Sequence, residues 1–139
     1  MIKSIDAARK ICELGDWEIN NLKLQKILYL IHLVSLGMYN KPLIKEKFEA
    51  WDFGPVEPDL YDSVKFFGAG PIKFIPKSKE IECEVINEVF EYLKNKTGAE
   101  LVQLTHRKNG AWYKTKKGMI ILDKHILEEY KEFSKPRGK

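Results

Sequence analysis

Apolar residues recur at steps of three to five positions along most of the chain, which is the pattern of helices that bury one face. This spacing predicts six helices, at about residues 4–14, 20–36, 58–67, 81–93, 97–106 and 123–133. Ser4 can cap the first helix, and Gly37 stands where a left-handed residue would end the second. Pro58 suits the first turn of the third helix, and Thr97 with Glu100 predicts a capping box at the start of the fifth.

The second helix has a different pattern from the others. In its first half Lys23, Gln25 and Lys26 mark a polar side, whereas from Ile27 onward nearly every position is apolar. A helix that is apolar all round is buried, so we expect this end to form the centre of the core. His32 lies within this stretch, and we interpret it as a hydrogen-bonded core histidine rather than a catalytic base.

The helical pattern is lost after residue 41, and large apolar and polar residues alternate over residues 48–55. This alternation before a Gly-Pro turn predicts one short strand, with which residues 72–75 are expected to pair. Two short strands are marginal on their own, so they must pack against helices. We predict a mainly α, single compact domain over residues 1–139, with about six helices, a minor two-stranded β element and a polar tail from about residue 134.

The composition is that of a globular protein with one core. Of the 139 residues, 44% are hydrophobic and 32% are charged. Cys12 and Cys83 are far apart, which indicates a reduced, intracellular protein rather than a disulfide scaffold. The first residues lack the apolar run of about 7–15 positions of a signal peptide, and residues 27–36 are shorter than the roughly 20 that span a bilayer. We therefore expect a cytoplasmic protein that is neither secreted nor inserted into a membrane.

Positive charge is concentrated in the second half of the chain. Residues 1–70 carry nine Lys or Arg against ten Asp or Glu, whereas residues 71–139 carry fifteen against ten. Residues 106–118 contain no acid beside their basic residues, which are Arg107, Lys108, Lys114, Lys116 and Lys117. Aromatic residues interleave with them, so residues 106–117 are a candidate nucleic-acid contact, and a solvated loop anchored by its aromatic residues is the alternative.

The spacing of possible ligands predicts no metal site and no cofactor. His32, His106 and His125 are dispersed and lack the i, i+4 spacing of helical zinc ligands. His125 and Glu129 lie one helical turn apart, which we interpret as a surface ion pair. The glycines of residues 68–71 follow a helix and precede a proline, whereas a phosphate-binding loop presents free amides at a helix start.

The sequence contains no arrangement typical of an enzyme. A nucleophile elbow of the Gly-x-Ser-x-Gly type is absent. Asp52 is the carboxylate in an apolar setting, between Trp51 and Phe53, where burial could raise its pKa or where it could cap a turn. A hydrolase that uses Asp52 and His106 would require the fold to bring the two together. We predict that the protein is not an enzyme.

Three blocks of the chain together resemble the Panacea domain, the family that includes SocA-like antitoxins and GepA-like phage-associated proteins. They are residues 21–29 (NLKLQKILY), residues 48–61 (FEAWDFGPVEPDLY), and residues 104–106 (LTH) followed by Trp112. Their order and spacing match, and the middle block is the most specific. Residues 109–111 depart from the relatives, which tend to have a proline or an acidic residue before the tryptophan.

The resemblance implies a protein that acts on another protein. A member of this family is expected to be the antitoxin of a two-gene, type II-like toxin–antitoxin system, and to neutralise its toxin by direct contact rather than by catalysis. In SocA-like members it also implies an adaptor that delivers the toxin to the ClpXP protease. The expected partners are a cognate toxin encoded by an adjacent gene and a ClpXP-type protease, with nucleic acid as the alternative partner of residues 106–117.

Large side chains with few rotamers are the ones best suited to anchor a partner if they are exposed. The motif residues that meet this description can equally fill the core around the Gly-Pro turn. The candidates for partner binding are Trp51, Asp52, Tyr61, His106 and Trp112.

Overall fold

Residues 1–76 and 79–134, the parts of the chain that this computed structural model describes, contain seven α-helices and one two-stranded sheet. The helices are α1 (Ser4–Leu14), α2 (Asn21–Tyr39), α3 (Pro58–Val64), α4 (Glu84–Leu93), α5 (Gly98–Thr105), α6 (Ala111–Lys114) and α7 (Asp123–Phe133). The sheet pairs β1 (Glu49–Trp51) with β2 (Gly54–Val56), and a 3₁₀ helix (Lys65–Phe67) follows α3. The fold is mainly α, as predicted from the sequence, whereas the predicted polar tail lies almost wholly outside the described residues.

The central element is α2, and α1, α4, α5 and α7 all pack against it. Four of its apolar side chains have no exposed surface at all: Leu24, Ile27, Leu28 and Ile31. Each such side chain contributes roughly 1.5–3 kcal/mol when it leaves water. The prediction that α2 forms the centre of the core is therefore confirmed.

The prediction that α2 ends at Gly37 is wrong, because the helix continues to Tyr39 and Asn40 takes the left-handed conformation at its end (φ 55°). Gly37 serves packing instead. A Cβ at this position would lie 2.0 Å from the ring of Tyr130 on α7. The missing side chain therefore lets α7 approach α2 closely.

The polar side predicted for α2 is also wrong in part, since Gln25 is 2% exposed and Lys26 has no exposed surface. The side-chain amide of Gln25 joins α2 to the segment between β2 and α3. Its Oε1 accepts a hydrogen bond from the Glu57 N–H (2.8 Å), and its Nε2 donates to the Glu57 carbonyl (3.3 Å). The amide thus satisfies both backbone groups of a buried residue, in place of the solvent that the sequence pattern suggested.

Two further polar side chains of α2 reach α7. Tyr29 donates to Oε1 of Glu129 (2.7 Å), which also accepts from the Ala111 N–H (3.1 Å). Nε2 of His32 lies 3.0 Å from the carboxylate of Asp123, and its Nδ1 accepts from the Ile44 N–H (3.1 Å). His32 is therefore a hydrogen-bonded core histidine, as predicted. Together, Gln25, Tyr29 and His32 form the polar stripe of α2.

The predicted ion pair between His125 and Glu129 is wrong. Glu129 is 1% exposed because it faces Tyr29, and His125 pairs instead with Glu128 at 3.0 Å. Burial raises the pKa of Glu129, and the hydrogen bond from Tyr29 opposes this shift. A position one turn from His125 thus belongs to the core rather than to the surface.

The two strands form a hairpin whose turn is Asp52 and Phe53. The predicted pairing of residues 72–75 with the first strand is wrong, because residues 54–56, which follow a two-residue turn, pair with β1 instead. Ile72 instead donates its N–H to the carbonyl of Ile19 (2.8 Å). The other edge of β1 is covered by residues 118–121, where the Ala50 N–H donates to the Met119 carbonyl (3.0 Å).

Local signals predicted some helix starts and missed others. The capping box of Thr97 and Glu100 is present, with both reciprocal hydrogen bonds. Ser4 is not the cap of α1, since Lys3 holds that position and the Ser4 hydroxyl donates to the Glu57 carboxylate. The short helix α6 was not predicted, and α4 begins at Glu84, three residues later than expected.

Candidate functional site

An open groove of about 690 Å³ lies between the first turns of α2, the β1–β2 hairpin, α3 and the loop that follows α6. We call it the aromatic groove. Its walls are mainly apolar, and the side chains that matter most below are Asn21, Leu22, Lys26, Trp51, Asp52, Phe53, Tyr61 and Lys117. The volume is in the range of sites that bind small ligands or peptide side chains.

The aromatic wall of the groove is held in place by the protein itself. The rings of Trp51 and Tyr61 meet edge to face, with centroids 5.0 Å apart. The indole N–H of Trp51 donates to Glu49 (3.0 Å), and its backbone carbonyl accepts from the indole N–H of Trp112 (2.6 Å). Trp51 therefore has little rotamer freedom left to lose when a partner binds. Phe53, at the hairpin turn, is 70% exposed.

Behind this wall, His106 and Trp112 stack in parallel, with ring centroids 3.9 Å apart. Nε2 of His106 is buried and has no hydrogen-bond partner among the described residues. Burial lowers the pKa of His106, the charge of nearby Lys26 lowers it further, and the Phe53 backbone has the opposite effect. The surroundings of His106 therefore favour the neutral form of the imidazole.

A buried ammonium group lies beneath the groove. Nζ of Lys26 donates to the carbonyl of Pro55 (3.2 Å), and no carboxylate in the described parts of the chain pairs with it. Burial lowers the pKa of Lys26 to about 8. A Cβ on Gly54, where φ is +116°, would lie 3.1 Å from both Lys26 Nζ and His106 Nε2. Only glycine suits this position, for reasons of both backbone conformation and space.

At the rim of the groove, Asp52 pairs with Lys117, and both side chains are about two-thirds exposed or more. Of the two roles considered for Asp52, that of a carboxylate buried between its aromatic neighbours is therefore wrong. The hairpin turn points its carboxylate outward, toward the loop after α6. An exposed ion pair of this kind contributes roughly 0–1 kcal/mol to stability, so it can open when a partner offers a better contact.

The fold brings all five predicted partner-binding residues into one region. Trp51, Asp52 and Tyr61 line the groove, and His106 and Trp112 support it from behind. The sequence did not identify Asn21, Leu22 or Phe53 as part of this site. The pattern shows them only as helix-start or turn residues, and their common position depends on how α2 meets the hairpin.

The five predicted nucleic-acid residues are partly occupied by contacts within the protein. Lys114 pairs with Glu128 at 3.6 Å, Lys117 pairs with Asp52, and the Arg107 guanidinium lies 4.5 Å from the centre of the Phe133 ring. Glu128 of α7 and Asp52 of the hairpin thus pair with lysines of residues 106–118, a segment that contains no acidic residue. Ion pairs to Lys108 and Lys116 are not observed within residues 1–76 and 79–134.

The pairing of Asp52 with His106 that a hydrolase would need is not among the hydrogen bonds of the described residues. Asp52 contacts Lys117, whereas Nε2 of His106 faces Gly54 and Lys26. The described segments hold no group of three His, Cys, Asp or Glu side chains that could bind a metal ion. None of their helices is both long and apolar enough to cross a membrane.

Comparison with known proteins gives a consistent result. Residues 24–113 match the family model described as antitoxin SocA-like, Panacea domain. The chain is 32% identical over 116 residues to the Antitoxin SocA of Caulobacter vibrioides (strain NA1000 / CB15N), an alignment that covers 70% of this chain and 60% of the relative. The chain therefore spans less than two thirds of that relative's length. No solved structure matches the chain.

Proposed function

The chain belongs to the family of SocA-like antitoxins with a Panacea domain, and on that premise we propose that it is a cytoplasmic antitoxin that neutralises a cognate toxin by binding it directly. The observation that carries the proposal beyond family membership is the aromatic groove. We further propose that the toxin is the product of an adjacent gene and that it contacts this groove.

The groove has the properties of a protein-binding surface. Its aromatic residues are large and have few rotamers, and such residues supply most of the binding energy at protein interfaces. Trp51 and Tyr61 are fixed by their contacts with each other and by the hydrogen bonds of Trp51. A preformed wall loses little conformational entropy on binding, which favours affinity.

Co-expression with the product of the adjacent gene tests the proposal. We expect that product to arrest growth when expressed alone, and we expect this chain to restore growth and to co-elute with it on a sizing column. A neighbour that is harmless alone would contradict the proposal. A neighbour that stays toxic beside this chain, with no complex on the column, would also contradict it.

Neutralisation can proceed by occlusion of the toxin or, as the resemblance to SocA-like members suggests, by delivery to a ClpXP-type protease. The two modes predict different toxin lifetimes. If the toxin is occluded, its level remains high in rescued cells. If the toxin is delivered to the protease, its level falls, and deletion of the protease restores it. A pulse-chase measurement of toxin half-life with and without this chain therefore distinguishes them.

A further inference from the structure

We propose that the aromatic groove holds one segment of the toxin, in which an aromatic or large aliphatic side chain lies close to a carboxylate and to a free hydrogen-bond donor. This inference rests on the proposed function and specifies the chemistry of the contact. Three independent features of the groove support it: an unpaired acceptor, an exposed apolar surface and a net positive charge.

The unpaired acceptor is Oδ1 of Asn21. This residue lines the groove, is 7% exposed, and its Oδ1 has no hydrogen-bond partner among the described residues. It is not needed to cap α2, because the neighbouring Asn20 already accepts from the Lys23 N–H (2.9 Å). A buried acceptor without a donor destabilises a protein. A hydrogen bond donated by a partner would satisfy this acceptor, which explains the presence of an amide side chain at position 21.

The exposed apolar surface lies in the same groove. Leu22 is 38% exposed and Phe53 is 70% exposed, and both line the groove together with the edge of the Trp51 ring. A contiguous apolar surface with a polar rim is typical of an interaction site. One large apolar side chain from the partner would cover it.

The charge of the groove selects for an acidic partner. Two lysines, Lys26 and Lys117, line it, against the single carboxylate of Asp52. Lys26 donates to a carbonyl, and no carboxylate in the described parts of the chain pairs with it. Complementary charge on a partner steers its approach and fixes its register. A carboxylate beside the apolar anchor meets this requirement.

A protein segment fits these features better than a nucleic acid does. Bases bind by stacking on open aromatic faces, next to a row of cations that contact phosphates. Here Trp51 meets Tyr61 at 63° rather than in parallel, and the parallel faces of His106 and Trp112 cover each other. Single-strand binding is therefore an outcome that the test must be able to detect.

The test uses three groove variants with matched controls. Phe53→Ser is compared with Phe74→Ser, because Phe74 is also exposed (64%) but does not line the groove. Lys117→Glu is compared with Lys94→Glu, whose ammonium also forms an exposed ion pair, with Glu91. Asn21→Leu removes the unpaired acceptor and keeps the branching of the side chain, although the two methyl groups of leucine are larger than the amide.

Affinity for the product of the adjacent gene is measured by calorimetry on the full chain. We expect Phe53→Ser and Asn21→Leu each to weaken binding at least about tenfold, as interface anchors do. Lys117→Glu should weaken it roughly three- to tenfold, with the difference shrinking at high salt. Both controls should bind within about twofold of the wild type, and thermal melts show which variants remain folded.

Photo-crosslinking identifies the toxin segment directly. A benzoylphenylalanine at position 53 should crosslink to the toxin, and the same residue at position 74 should not. Mass spectrometry of the crosslinked peptide should find an aromatic or large aliphatic residue within a few positions of an Asp or Glu. A crosslinked segment that is basic or lacks an apolar residue would overturn the inference.

The outcomes distinguish failure of the proposed function from failure of this inference alone. If the wild type does not bind the neighbour's product, the proposed function and this inference fall together. If the wild type binds and all folded groove variants bind as the controls do, the antitoxin function stands and the groove is not the contact. If a labelled single-stranded oligonucleotide binds the groove and competes with the toxin, the groove is a nucleic-acid site and the inference is wrong.

Discussion

Helix α2 carries two kinds of buried polar side chain, and they differ in whether they have partners. The residues of its polar stripe, Gln25, Tyr29 and His32, hydrogen-bond to backbone or carboxylate groups far along the chain. Asn21, one turn before Gln25, lines the aromatic groove with its Oδ1 unpaired. The comparison separates polar residues that hold the fold together from one whose acceptor has no hydrogen bond among the described residues.

In the described parts of the chain, two other buried side-chain atoms lack hydrogen-bond partners, and their surroundings differ from those of Asn21. Oε2 of Glu129 belongs to a carboxyl group whose other oxygen accepts two hydrogen bonds in the core. Nε2 of His106 lies behind the aromatic wall, against Gly54. Asn21 is the one of the three that lines the groove. Its Oδ1 is itself buried, so the side chain must turn toward the groove before a docked segment can donate to it.

The largest expected effect is the loss of the amide on the polar stripe. In Gln25→Leu, the N–H and carbonyl of Glu57 stay buried but lose their partners. Two unsatisfied backbone groups should lower the free energy of unfolding by about 2–4 kcal/mol, as measured by urea denaturation. An unchanged midpoint would show that the stripe does not hold the hairpin to α2.

Lys26 is intermediate between the partnered and unpartnered polar side chains of α2: it is buried with one hydrogen bond, and no carboxylate among the described residues pairs with it. Its effect on stability depends on pH. Burial lowers its pKa from 10.5 to about 8, so the penalty for its charge is fully present below pH 8 and fades as the pH rises to 10.5. Lys26→Met should therefore be more stable than the wild type by about 1–2 kcal/mol at pH 7. At pH 10.5 the variant should be the less stable protein, because it lacks the bond to the Pro55 carbonyl. Urea unfolding of both proteins at the two pH values checks the reversal, and parallel curves would contradict it.

Tyr29→Phe removes one hydrogen bond from the stripe and leaves the other bond to Glu129 in place. We expect a loss of about 1 kcal/mol at pH 7. The Tyr29 hydrogen bond lowers the pKa of Glu129 by favouring its ionised form, so the loss should shrink as the carboxyl is protonated at acidic pH. Thermal unfolding at pH 7 and pH 4.5 measures the difference, and an equal loss at both would contradict it.

The smallest effect on stability is expected at the groove itself. Phe53 is 70% exposed, so Phe53→Ser should change the free energy of unfolding by less than about 0.5 kcal/mol. The same variant should weaken toxin binding strongly. A variant that unfolds easily would place Phe53 in the core of the hairpin rather than at the interaction surface.

The sequence predicted those parts of the fold that short-range signals determine. The capping box at Thr97 and the proline at the start of α3 depend on residues within one turn, and both are present. The end of α2 was misplaced because Gly37 does not end the helix. Its lack of a side chain leaves space for the ring of Tyr130, which is distant in sequence. The predicted strand pairing was wrong for a similar reason, since the pattern of apolar and polar residues does not show which two short segments pair.

The candidate site was predicted in part. Trp51, Asp52 and Tyr61 were identified within the motif block, and they line the groove. Asn21 was missed, because a polar residue at the start of a helix is ordinarily a capping residue or solvated. Its burial without a partner is a property of three-dimensional packing, and no residue pattern indicates it.

The most direct test of the account measures Asn21→Leu and Gln25→Leu side by side, for unfolding in urea and for binding to the toxin. Both variants replace a buried amide side chain with leucine, at positions one turn apart on α2. The account predicts that Asn21→Leu is as stable as the wild type, or about 1 kcal/mol more stable, and binds the toxin about tenfold more weakly, whereas Gln25→Leu is strongly destabilised. If Asn21→Leu loses stability as Gln25→Leu does and binds the toxin as tightly as the wild type, Asn21 is a structural residue and the central claim is wrong.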